Sequence, residues 1–136
     1  MVEVQVQNVR KTYGKVEALK GVSLHFKSGG LTAILGPSGC GKTSLLMAVA
    51  GLNRLTRGSI EIDGQLVDGP GLERAVVFQD AGLLPWRTVR SNIALGLEAR
   101  GVSGAERARI ADHYLRMVGL ARFGHCYPHQ LSGGMR

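Results

Sequence analysis

Val2, Val4 and Val6 alternate with Glu3, Gln5 and Gln7, the period-two pattern of a half-buried strand. Lys11-Thr12-Tyr13-Gly14 reads as a turn, and Val22-Ser23-Leu24-His25-Phe26 as a second alternating strand. Ser28-Gly29-Gly30 is a turn leading into Leu31-Thr32-Ala33-Ile34-Leu35, an apolar run expected to be a buried strand. Ser44 to Ala50 has the composition of a helix, ended by Gly51. Ile60 and Ile62 flank Glu61 in another alternating stretch, and Asp63-Gly64 after it is a tight-turn signal. Gly69-Pro70-Gly71 is a loop. Ala75-Val76-Val77-Phe78 is continuously apolar, as a strand inside a parallel sheet would be, with Gln79 at its C-terminal end. In open α/β sheets that end faces the ligand crevice.

The pattern changes near Pro85-Trp86. From Thr88 it is helical, first through Ile93, Leu95 and Leu97. A capping box, Ser103-Gly104-Ala105-Glu106, then opens a helix closed by Gly119. Within that helix Ile110, Tyr114, Met117 and Val118 recur at helical spacing, so the tyrosine and methionine read as core rather than site. The expected organisation is a mixed β and α/β core over residues 1–87 and a helical part over 88–136, with no internal repeat.

The length of 136 residues suits one domain, and 44% hydrophobic with 20% charged residues suits a globular protein. No apolar run approaches the roughly 18 residues of a membrane span, and the first residues lack the layout of a signal peptide. A cytosolic chain is therefore expected. Cys40 and Cys126 are too few for a disulfide framework and read as reduced thiols. The net charge of +7 admits nucleic-acid binding, attraction to anionic lipid, or a solvated surface with some phosphate-facing lysines. The basic residues are dispersed, with no run of five, which favours the third and argues against a nucleic-acid partner. His25 falls at the polar phase of its strand and reads as an exposed strand residue rather than a ligand. His125, Cys126 and His129 are too crowded around Pro128 for tetrahedral coordination and read as loop rather than metal site.

The chemistry concentrates at Gly36-Pro37-Ser38-Gly39-Cys40-Gly41-Lys42-Thr43, a match to G-x-x-x-x-G-K-[ST] between an apolar run and a helix. A polyphosphate packs several charges into a small volume. Backbone N–H groups can surround it only where the chain turns tightly without side-chain clashes, and glycines allow that. The first turn of the following helix, at Thr43 and Ser44, adds free donors and a positive dipole end. Lys42 is expected to reach the β- and γ-phosphates, and the Thr43 hydroxyl to bind Mg²⁺.

Leu131-Ser132-Gly133-Gly134-Met135 resembles the LSGGQ signature of ATP-binding-cassette (ABC) ATPases, with methionine where glutamine is usual. Lys11-Thr12-Tyr13-Gly14, the phosphate loop and Gln79 stand in that family's order and at about its spacing, and the resemblance covers the whole chain. The segment from Asp68 to Gln79, and Leu83-Leu84-Pro85-Trp86 after it, look most like the ATPase subunits of nitrate, sulfonate and taurine importers, the taurine branch above all. The resemblance implies an α/β, P-loop nucleoside triphosphate hydrolase fold with an N-terminal antiparallel β part and a helical subdomain. It implies ATP and Mg²⁺ as cofactors. It makes Tyr13 the platform on which adenine stacks, and Gln79 a contact to Mg²⁺ and the attacking water. Ser132, Gly133 and Gly134 would bind the γ-phosphate of ATP held by a second, head-to-tail ATPase subunit. The further partners are membrane permease subunits and, indirectly, a solute-binding protein. The location is the cytoplasmic face of the membrane, and the work is uptake of a small anion or sulfonate.

One departure matters. The family continues past the signature to a strand ending in Asp-Glu and then to a switch histidine, whereas this sequence ends at Arg136 and contains no Asp-Glu dipeptide. The expectation for these residues is a cassette cut before its Asp-Glu strand: a nucleotide-binding fragment without turnover, with a strand edge and apolar helix faces left uncovered. A soluble cassette protein acting on nucleic acid or the ribosome is a lesser alternative, since it would need two cassettes or a basic tract.

Overall fold

The computed structural model describes residues 2–71, 73–80 and 82–136. Leu72, inside the Gly-Pro-Gly-x-Glu-Arg segment quoted above, lies outside the described residues. The chain forms two compact units, one up to Val76 and one from Val77 to Arg136.

In the first unit, strands β1 (Val4–Tyr13), β2 (Val16–Phe26), β3 (Arg57–Ile62) and β4 (Gln65–Leu66) form one antiparallel sheet in the order β2-β1-β3-β4. Strict alternation would send Val6 and Val9 to opposite faces, yet both are buried. The register of β1 slips between Val6 and Val9 against β2, and between Gln7 and Arg10 against β3. Such a bulge resets which face a side chain takes. Gly58 makes the bulge possible: with φ at +85°, a Cβ there would lie 2.5 Å from the carbonyl oxygens of Gln7 and Asn8. Helix α1 (Lys42–Val49) lays Leu45 and Ala48 on this face, closing a core with Val6, Val9, Leu19 and Ile60. Asp63 and Gly64 both take positive φ, the geometry of a two-residue hairpin turn, as their sequence predicts.

Three expectations are corrected here. Lys11, Thr12 and Tyr13 are not a turn: β1 runs through Tyr13, which pairs with Val16 across the hairpin, and the turn is Gly14-Lys15. Residues 31–35 and 75–78, read as buried strands, pair with no strand among the described residues. Leu31, Leu35 and Val77 are 100%, 90% and 94% exposed. An apolar run becomes a buried strand only when neighbours satisfy its backbone and cover both its faces, and the antiparallel sheet supplies neither.

In the second unit, α2 (Val89–Ile93), α3 (Leu95–Ala99) and α4 (Gly104–Met117) are followed by single 3₁₀ turns at Ala121–Phe123, Pro128–Gln130 and Gly133–Met135. The helical pattern after Thr88 breaks at Ala94 into two short helices. Val89, Leu115 and Leu131 make the core, with Ile93, Leu120, Cys126 and Met135 packed on it. Ser103 caps α4 by accepting from Glu106 N at 3.4 Å, while the Glu106 carboxylate turns to Arg109 at 2.6 Å. The buried face of α4 is Ala111 and Leu115, not the predicted set; Tyr114, Met117 and Val118 are exposed. Packing against α2 selects the Ala111–Leu115 face, where a small residue permits close approach, and Ile110 and Tyr114 each lie one position off it.

Candidate nucleotide site

Residues 36–40 form a turn that leads through Gly41 into α1. Gly41 has φ of +96°, and a Cβ there would stand 2.5 Å from the Ala18 carbonyl oxygen on β2, so only glycine fits the loop against the sheet. The first bond of the helix runs from Leu45 N–H to Gly41 O at 2.9 Å. The N–H groups of Lys42, Thr43 and Ser44 precede it and have no partner within the helix. Together with the helix dipole they make the loop's mouth electropositive. The Lys42 ammonium donates to the carbonyls of Gly36 at 2.8 Å and Pro37 at 2.7 Å, and lies 3.7 Å from Cys40 Sγ. It thus stands inside the curve made by Gly36, Pro37, Ser38, Gly39 and Cys40. Thr43 is exposed in the first turn of α1, and Ser44 is half-buried beside it. Cys40 is an exposed free thiol and Cys126 a half-buried one.

Tyr13 lies at the end of β1, 45% exposed. Its hydroxyl accepts a hydrogen bond from Asn53 Nδ2 at 2.9 Å. The Lys11 ammonium sits 4.8 Å from the ring centroid and donates to Arg54 O at 2.7 Å. Neither Lys11 nor Asn53 was singled out for a role by its sequence. Asn53 stands forty residues from Tyr13, and no local pattern announces a contact of that span.

One cleft of the first unit lies away from the phosphate loop, at the other end of α1, with Ala48, Gly51, Leu55, Ile60 and Val67 in its lining. Its lining mixes the apolar Leu55, Ile60 and Val67 with Asn53, Arg54 and Ser59.

Gln79 is exposed and belongs to the second unit, where it lines one cleft with Phe78, His129, Gly133 and Arg136. Ser132 precedes the 3₁₀ turn Gly133–Met135, with Ser132, Gly133 and Gly134 exposed. Leu131 anchors this segment in the core and Met135 packs on the same core. The Arg136 guanidinium donates to the Leu131 carbonyl at 3.0 Å. The loop before α2, which follows Gln79 in the chain, is held by Asn92, which accepts from Leu84 N at 2.8 Å and donates to the carbonyls of Leu84, Arg87 and Thr88 at 3.1 Å. His129 stacks on Tyr127.

Comparison with known proteins gives a consistent picture. The family description "ABC transporter" matches residues 19–136. The chain is 46% identical to the taurine import ATP-binding protein TauB of Escherichia coli over 98% of its own length and 52% of the relative's. It is 47% identical to the nitrate import ATP-binding protein NrtD of Synechocystis, over 90% and 46%. An uncharacterized ABC transporter ATP-binding protein of Methanocaldococcus jannaschii matches at 45%, over 99% and 52%. The chain thus spans about half the length of the curated relatives it matches. Among solved structures, the ATP-binding cassette MJ0796, a dimer in a post-hydrolysis state with ADP and Pi, superposes with a TM-score of 0.83 at 35% identity, covering 96% of this chain and 64% of that one.

Proposed function

The chain belongs to the ABC transporter family, and from that premise we propose that it is the ATP-binding part of an importer subunit, taking up a small anion or sulfonate such as taurine. The observation that carries this reading is the loop at 36–43, leading into α1 with the Lys42 ammonium held inside its curve. Lys42 is the residue that would meet the β- and γ-phosphates, exchanging two carbonyl acceptors for stronger anionic ones. The N–H groups of Lys42, Thr43 and Ser44 would hold the phosphate oxygens. Thr43 and Gln79 offer a hydroxyl and an amide oxygen, hard donors of the kind Mg²⁺ takes alongside phosphates and water. Bound at the Thr43 hydroxyl, Mg²⁺ would neutralise phosphate charge. Tyr13 would carry the adenine on its ring.

Ser132, Gly133 and Gly134 would face the ATP of a second, head-to-tail subunit, so that each composite site takes half from each chain. Support comes from the dimeric state in which the MJ0796 cassette was solved. The organisation expected from sequence, a nucleotide-binding core over 1–87 and a helical part over 88–136, would give the helical part the task of docking on a membrane permease at the cytoplasmic face. No helix among the described residues is long and apolar enough to cross a membrane, which fits a peripheral position. The nitrate and taurine import proteins among the relatives support the solute class.

A second reading concerns these 136 residues by themselves: nucleotide binding without turnover. It is favoured by the carboxylate inventory, in which no two of the ten Asp and Glu residues form an Asp-Glu pair. Phosphoryl transfer to water needs a group that positions the water, and Gln79 is the candidate that the family resemblance offers. The importer reading is tested by uptake of nitrate, taurine and a second sulfonate in cells whose assembled importer carries this chain. Uptake of one of the three, abolished by Lys42→Ala, is expected; uptake indifferent to Lys42→Ala contradicts the reading.

A further inference from the structure

We propose that Asn53 is a positioning residue that fixes the distance between the base platform and the phosphate loop, with Lys11 selecting which face of the Tyr13 ring a base can use. The proposal rests on the reading of Tyr13 as the base platform. Helix α1 has the phosphate loop at its N-terminal end. At its other end Asn53 is tied to the last turn by its own N–H, which donates to Met47 O at 3.2 Å. The Asn53 side chain then holds the Tyr13 hydroxyl at 2.9 Å. Eight helical residues make a rigid spacer of about 12 Å. Tyr13 stands at the last position of β1, beside the exposed turn Gly14-Lys15, where a hairpin tip would otherwise move independently of α1. That amide hydrogen bond is the tie made by the Tyr13 ring itself; the strand behind it is held to the same segment by the bonds from Lys11 to Arg54 O and from Thr12 N–H to the Thr56 hydroxyl.

The Lys11 ammonium, 4.8 Å from the ring centroid, is attracted to the π-face it covers. Its hydrogen bond to Arg54 O keeps it there. A base stacks on the opposite face, and the cation behind the ring polarises it. Both side chains act on the adenosine half of the ligand and neither touches the phosphate loop, so their effect separates by ligand. ATP senses the platform and the loop; inorganic tripolyphosphate senses the loop alone.

The test is equilibrium competition of ATP and of tripolyphosphate against a fluorescent ATP analogue, on the full chain and on Asn53→Ala, Tyr13→Phe, Tyr13→Ala and the Asn53→Ala/Tyr13→Phe double variant. Asn53→Ala is expected to weaken ATP about threefold to tenfold, the range of one hydrogen bond, and to leave tripolyphosphate unchanged. Tyr13→Phe removes the same bond from the other side, so the double variant should equal either single one. Equal loss for both ligands, or additive losses in the double variant, overturns the proposal. Unchanged ATP affinity in Tyr13→Ala overturns the base-platform reading itself, and is distinguishable because it does not involve Asn53.

Discussion

At the scale of the residue, Lys42 and Gly41 do different work at the same corner. Lys42 contributes charge: its ammonium is held by the Gly36 and Pro37 carbonyls and becomes available to any anion that offers a better acceptor. Lys42→Ala should weaken ATP by about one to two orders of magnitude, as loss of a charged hydrogen bond implies, with little change in thermal stability; competition binding and calorimetry read the two. Gly41 contributes shape. Gly41→Ala would place a methyl 2.5 Å from the Ala18 carbonyl oxygen in a left-handed backbone conformation, so it should destabilise the first unit by about 1–3 kcal/mol, seen in urea titration. Eight consecutive residues carry the loop, with positive φ at Gly39 and Gly41, and so it was legible in the sequence. The Asn53–Tyr13 bond was not, because only the completed sheet brings β1 beside the end of α1.

At the scale of the element, α4 shows how periodicity finds a helix without fixing its buried face. Leu115 is 1% exposed, so Leu115→Ala should cost about 2–5 kcal/mol. Met117→Ala, on the exposed side, should stay within about 0.5 kcal/mol of the parent. The reverse order in chemical denaturation would mean that the sequence reading of the helix face was right and the observed packing wrong. Between α2 and α3, Arg87 reaches both Ser91 and Glu98. The hydrogen bond and charge of Arg87 hold the Glu98 carboxyl below its ordinary value. A depressed folded value means the contribution is complete above the ordinary glutamate range and is lost as pH falls through the folded value. Thermal midpoints of the parent and Glu98→Gln should therefore differ near neutral pH and converge in acid. Constant separation down to about pH 2 would contradict the ion pair. The strands at 31–35 and 75–78 failed for a related reason: an apolar run states what a segment avoids, while strand formation depends on which neighbours it meets.

At the scale of the whole molecule, the chain places the residues proposed to bind nucleotide in two units. Tyr13 and the loop at 36–43 lie in the first; Gln79 and Ser132 to Gly134 lie in the second. The order of these motifs along the chain was readable because each is short and carries its own chemistry. How they act together in a composite site is a property of the assembled protein, proposed above. The exposed Leu31, Leu35 and Val77 should make these 136 residues in isolation prone to self-association, visible as concentration-dependent sedimentation that Leu35→Lys reduces. The central claim, that the loop ending in Lys42-Thr43 is an ATP site, is tested most directly by isothermal titration of ATP into the chain, with and without Mg²⁺. Saturable binding near one equivalent, strengthened by Mg²⁺ and weakened by about one to two orders of magnitude in Lys42→Ala while circular dichroism stays unchanged, is the predicted result. Binding of equal strength in Lys42→Ala, or none in the folded parent chain, would contradict the account.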